Sequence, residues 1–189
     1  MVTEKITISC EAVFDSKEKQ HRYSMIKVWD EKLPQAAVIS IAPSSDCGVS
    51  ADLTTQLIQN NLDGLRFGGF VLTNLFSLVG CEFKKLKSTD ELYNKETDKA
   101  ILASCEKADV IIICWGGASS KNKLISKRAE DVIKLVSKFG DKLHFLSDGK
   151  RTQLHPLTPK LRHKWLLVKA TVSNEVPVGS WDGEVSVAS

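Results

Sequence analysis

The 189-residue chain is long enough for a single domain with a sizeable core, and its 42% hydrophobic and 26% charged content is an ordinary globular balance. A formal net charge of +3 is too small for bulk charge alone to argue a nucleic-acid partner. No apolar run reaches the roughly 18 residues of a membrane span, and the N-terminus lacks a basic stretch followed by an apolar one, so neither a membrane partner nor a secretory signal is expected. The five cysteines (Cys10, Cys47, Cys81, Cys105 and Cys114) are odd in number, widely spaced and form no C-x-x-C pair. That usage argues against a disulfide framework and for the cytoplasm. A zinc or iron–sulfur site needs clustered soft ligands, so no metal or cofactor is expected and the thiols read as small apolar residues.

In chain order, residues 5–10 and 22–29 alternate apolar and polar positions, which predicts two half-buried strands in an antiparallel hairpin. Three nearly continuous apolar runs follow at 36–43, 68–76 and 108–117, with a weaker fourth at 142–148. Such runs suit strands buried on both faces, as in a parallel sheet. Helical patterns lie between them. Ser50 is a candidate cap for a helix through Leu62, Asn94 or Thr97 for one ending near Lys107, and Ser119 or Ser120 for a long helix stopped by Gly140. The alternation predicts a three-layer α/β/α domain over residues 1–170 with a central, mainly parallel four-stranded sheet. Residues 163–170 read as a last strand or helix, and 171–189 as a loose C-terminal tail.

In open α/β sheets ligands bind beyond the carboxyl ends of the strands. Four segments should reach that edge: 42–52, 73–80, 115–123 and 147–157. Basic residues follow these strand ends at 84–87 and 121–128. From Gly149 to Asn174 there is no acidic residue, yet Lys150, Arg151, Lys160, Arg162, Lys164 and Lys169 are present. Positive charge gathered on one edge suits a phosphate-bearing partner, with solvated faces as the alternative.

Four positions carry candidate chemistry. Asn74 lies inside an apolar strand, where an amide must be hydrogen-bonded. Its adjacent donor and acceptor suit a base edge, and closing a turn is the alternative role. His155 precedes Pro156, which biases it to an extended conformation; an imidazole there suits donation to a developing oxyanion or proton exchange near neutrality, against a plain surface role. Asp46 and Asp52 are the carboxylates of the first loop and its helix start, suited to orienting a water or to capping the helix.

Taken in order, Arg22-Tyr23, Ala42-Pro43-Ser44-Ser45-Asp46, Asp52-Leu53-Thr54, Asn74-Leu75-Phe76, Trp115-Gly116 and His155-Pro156-Leu157 resemble the motifs of the family called domain of unknown function 1643. Ala42 and Leu53 depart from that family's Asn and Pro. The layout is also similar, more distantly, to the uracil-DNA glycosylase superfamily. That superfamily has a Pro-containing loop after the first core strand, a strand ending in a base-reading Asn and a late His-Pro loop. The resemblance implies a uracil-DNA-glycosylase-like fold with His155, Asp46 and Asn74 as catalytic residues. It implies base or substrate contacts from Pro43, Ser44, Ser45, Asp52, Asn74, Phe76, Trp115 and Gly116. DNA contacts would come from Lys150, Arg151, Lys160, Arg162 and Lys164, with Leu157 as a wedge. Ile41 and Ala42 stand where the superfamily carries a first-loop carboxylate, which puts water activation on Asp46.

The resulting expectation is a glycosylase-like enzyme in repair or anti-phage defence. It would cleave the N-glycosidic bond of a modified base flipped from duplex DNA. The alternatives are an enzyme of free nucleosides or nucleotides and a non-catalytic nucleic-acid-binding module.

Overall fold

The computed structural model describes residues 1–44, 50–83, 88–117 and 122–170. Ser45, Asp46, Cys47, the basic residues at 84–87, the cap candidates Ser119 and Ser120, Lys121 and the tail at 171–189 lie outside the described residues.

Seven strands form one mixed sheet: β1 (Ser9–Phe14), β2 (Arg22–Val28), β3 (Gln35–Ser40), β4 (Gly69–Asn74), β5 (Val110–Ile113), β6 (Leu143–Ser147) and β7 (Leu166–Lys169). Their spatial order is β1-β2-β4-β3-β5-β6-β7. Parallel ladders join β4 to β3, β3 to β5 and β5 to β6, while β1, β2 and β7 pair antiparallel with their neighbours. The sheet is therefore wider than the four strands expected from sequence. The hairpin does not stand apart but continues the sheet through β2 on β4, and β7 extends the other side. Both additions satisfy backbone groups that the outer parallel strands would otherwise expose. β1 also begins later than alternation suggests. Its first residue, Ser9, already pairs with Val28, and beyond Val28 the chain turns away to bond Gly68 through Trp29.

Among the described residues three α-helices connect the strands: α1 (Leu53–Gly64), α2 (Lys95–Lys107) and α3 (Lys123–Val136). The cap of α1 is Asp52 rather than Ser50; its carboxylate accepts the Thr55 N–H at 2.7 Å. Asn94 and Thr97 together close a capping box on α2, each accepting the other's backbone N–H. Asn122 caps α3, which ends at Val136 and passes through a 3-10 turn containing Gly140.

Strand β3 explains the layering. Ala36, Ala37, Val38 and Ile39 are all at most 1% exposed. Ala37 and Ile39 pack with Ile101 of α2 and Val132 and Val136 of α3; Ala36 and Val38 pack on the opposite face with Ile58 and Leu62 of α1 and with Leu161 and Trp165. A strand buried on both faces has no polar side to alternate with. Burial pushes the Cys105 and Cys114 thiols up to about 11 and about 12, so both stay protonated packing groups at neutral pH.

Candidate functional site

The chain leaves β3 through α1 to reach β4 on one side, and later places β5 on the other side of β3. The connections after the neighbouring strands β3 and β5 thus run in opposite directions, which leaves the carboxyl edge open at β3. A cavity of about 190 Å³ lies there. Ser40, Ile41, Ala42 and Ser44 bring the loop after β3 to it, and Asp52, Thr54 and Thr55 the start of α1. Arg22 reaches it from the hairpin, Asn74 from the end of β4, Phe83 from the following loop and His155 from the loop after β6.

Asn74 and His155, 81 positions apart in sequence, therefore line the same cavity. Asn74 is 3% exposed, and its Oδ1 lies 3.4 Å from Nη2 of the equally buried Arg22. His155 opens a turn in which the Thr158 N–H donates to its carbonyl at 2.8 Å; Pro156 occupies the second position, where its fixed φ suits such a turn. Leu154, packed against the α1-side core, ties the segment to β6 through its N–H to the Leu146 carbonyl.

The His155 ring is held electronically as well as sterically. The Leu157 N–H lies 3.1 Å from Nδ1, which makes Nδ1 the acceptor and places the proton of the neutral ring on Nε2. Burial depresses the His155 pKa below its ordinary 6.5, and the charge of Asp52 opposes this without reversing it. The imidazole is thus neutral at pH 7. Asp52 is the complementary group. Burial pushes its carboxyl up, but hydrogen bonds from Ser44 and Thr55 and the positive charge of Arg22 outweigh that, leaving it below 3.8 and ionised.

Gly116 sits directly behind His155 with φ of +66°. A Cβ at this position would fall 2.7 Å from the Cβ of His155 and 3.1 Å from its nitrogen. Gly116→Ala is accordingly expected to cost about 1–2 kcal/mol in backbone strain alone and to push the His155 turn off the cavity. A lowered melting temperature with loss of site function is the outcome to measure. An alanine variant that melts and functions like the wild type contradicts this packing.

Phe76, Trp115 and Pro43 do not line the cavity. Phe76 is fully buried in the core, its ring centroid 5.5 Å from that of Phe83, so Phe83 walls the cavity and Phe76 backs it. Trp115 is a core residue at 3% exposure. Pro43 is buried and uses its carbonyl to accept the Gly80 N–H, joining the loops after β3 and β4. Ser44 reaches the cavity by its bond to Asp52, whereas Ser45 and Asp46 lie outside the described residues.

Of the basic residues, Arg151 has an acidic partner. Arg151 donates through Nη2 and Nε to the Asp148 carboxylate at 2.9 and 3.3 Å, and the backbone N–H groups of Lys150 and Arg151 bond the same side chain. These bonds hold Asp148 down to about 2. The Arg162 carbonyl lies 3.5 Å from Asn61 in the C-terminal half of α1. Lys150, Lys160, Arg162 and Lys164 are exposed, as is Leu157 beside His155. Arg128, in the basic stretch 121–128, is buried structural material.

Sequence reasoning did not single out Arg22 or Phe83 as cavity residues. Arg22 had a signal, the Arg-Tyr motif at the start of β2, but alternation assigned it no partner. Phe83 had none, since its approach to the cavity depends on how the loop after β4 folds back. Among the described residues no three metal-ligating side chains cluster together, and no helix is long and apolar enough to cross a membrane.

Residues 22–157, which span all of these cavity groups, match the family described as "Protein of unknown function (DUF1643)". The chain belongs to this family. No curated protein and no solved structure matches it. The DUF1643 match begins at Arg22, which lines the cavity, and ends at Leu157, whose N–H bonds the cavity's His155.

Proposed function

We propose that this DUF1643 protein cleaves the N-glycosidic bond of a modified base in DNA, with the cavity between β3 and β4 receiving the flipped base. The observation carrying this reading is the convergence of a neutral, Nε2-protonated His155, the Asn74 amide and an ionised Asp52 on one cavity at the strand ends. The order of the Pro43 loop, Asn74 and His155-Pro156 resembles the uracil-DNA glycosylase superfamily and supports the same chemistry.

In this reaction the C1′–N bond breaks with both electrons leaving on the base, and the sugar becomes an oxocarbenium-like cation. His155 donates a hydrogen bond from Nε2–H to the oxygen where negative charge develops. Asp52 is a poor proton acceptor because its pKa is depressed, but a fixed negative charge suits the sugar cation. Water then adds its oxygen to C1′ and releases a proton, and the reactive cation needs little help from a base. Asn74 reads the base edge, and Phe83 offers an aromatic wall to its ring. The first-loop carboxylate missing at Ile41 and Ala42 is replaced in this account by Asp52, one helix start later.

The pH profile tests the His155 assignment. Protonating the ring would place an N–H on Nδ1 against the Leu157 N–H and break that bond. Base release should therefore be flat above neutrality and fall as the pH drops through a value below 6.5. The same depressed pKa makes a stability contribution that is present above 6.5 and lost as pH falls through that window. A rate that rises on acidification contradicts a neutral donor.

A second reading, an enzyme of free nucleosides or nucleotides, is favoured by one observation: Asp148 engages Arg151, so the rim carries less free positive charge for a DNA backbone. Parallel assays on a modified duplex and on the matching free deoxynucleoside separate the two. Release from the duplex, weakened steeply by salt, supports the glycosylase. Release from the nucleoside alone supports the second reading.

A further inference from the structure

We infer that Arg22 is a specificity-determining residue, which fixes the polarity of the Asn74 amide so that the cavity selects bases presenting oxygen acceptors over bases presenting amino groups. This rests on the reading that the cavity holds a heterocyclic base, and on none of the bond-breaking chemistry assigned to it.

A guanidinium carries donors and no acceptor. Of the two ends of the Asn74 amide, only the oxygen can face Arg22, and Oδ1 does so at 3.4 Å. Both side chains are 3% exposed, and the Arg22 backbone is tied by its N–H to the Ser77 carbonyl at 2.8 Å, so neither group is free to swing into solvent. The Nδ2 end, with its two N–H groups, is then the end available to a ligand. His155 also presents a donor, because its Nδ1 is occupied by the Leu157 N–H. Among the described residues Asp52 is the carboxylate of the cavity lining, and its oxygens already accept from Thr55 and Ser44. The hydroxyls of Ser40 and Thr54 rotate to suit either kind of ligand and do not discriminate. An amino group set against Asn74 would meet N–H with N–H in a partly dry cavity, whereas an oxo group accepts the bond.

The experiment is binding of free heterocycles to the full chain by titration calorimetry, in pairs that differ at one edge: uracil with cytosine, and hypoxanthine with adenine. The oxo member of each pair should bind at least about tenfold more tightly, the usual cost of leaving one buried donor unmet. Arg22→Lys retains a donor and a charge and should keep the preference. Arg22→Met frees the amide to turn over, and with its fold verified by circular dichroism it should bring the ratio toward unity. Asn74→Asp places an acceptor-only carboxylate beside Arg22 and should invert the preference, which keeps the test decisive even where Arg22→Met does not fold. Equal or tighter binding of the amino members, an unchanged ratio in folded Arg22→Met, or no binding of any of the four at millimolar concentration overturns the inference. Preference without base release from DNA removes the glycosylase chemistry and leaves the role of Arg22 standing; base release without preference does the reverse.

Discussion

Replacing His155 by alanine is expected to slow base release by about 100- to 1000-fold, the range for loss of a single donor to a developing oxyanion, while the fold stays intact. The ring lines the cavity, and alanine keeps the Cβ that lies over Gly116. The turn that carries it is held by backbone bonds that alanine also makes, from Thr158 to the residue 155 carbonyl and from Leu154 to Leu146. Single-turnover rates beside thermal melts check both halves of the expectation. Wild-type rates in the alanine variant contradict the role of the histidine, and a collapsed melt contradicts the expected intact fold.

The largest loss of stability is expected from Arg128→Ala. Arg128 is 4% exposed and sits on the apolar face of α3, three residues after Ile125 and four before Val132. Its Nε donates to the Leu75 carbonyl at 2.9 Å, its Nη2 meets Asp98 Oδ1 at 2.5 Å, and its guanidinium lies 3.7 Å from the Tyr93 ring centroid. One side chain thus clamps α3 to α2, to the end of β4 and to the loop before α2. Truncation leaves a buried carbonyl unmet and a cavity behind, together about 3 kcal/mol. For a chain of this length that is roughly 6–12 °C in melting temperature. Because Leu75 follows Asn74, the variant should also loosen the Asn74 amide. A melting temperature within about 2 °C of wild type, well below the shift expected for that loss, contradicts the clamp.

The sequence was most legible where burial is symmetrical. Residues 36–40, 69–74 and 110–113 read as strands because β3, β4 and β5 have no solvent face to interrupt their apolar runs. Asn74 stood out for the same reason, as an amide at the end of such a run. His155 was marked by its proline. Lateral pairing was not legible: nothing in the alternation of residues 22–28 says that they lie beside β4, so the burial of Arg22 was invisible despite its motif. The cap of α1 was ambiguous because Ser44, Ser45, Asp46, Ser50 and Asp52 crowd one loop, and only geometry selects Asp52. Charge runs did not reveal which of their residues have an acidic or buried partner. Asp148 stands three residues before Arg151, and Arg128 falls on the apolar spacing of its own helix.

The central claim is that the cavity lined by Asn74, Asp52 and His155 breaks a base–sugar bond in DNA. The most direct measurement is mass-spectrometric detection of free base from duplexes carrying uracil, hydroxymethylated or glucosylated pyrimidines, with abasic sites counted on the same DNA. The account predicts equal amounts of free base and abasic site from at least one modified duplex, and neither from the unmodified control. No release from any of these duplexes, or strand cleavage without a free base, contradicts it.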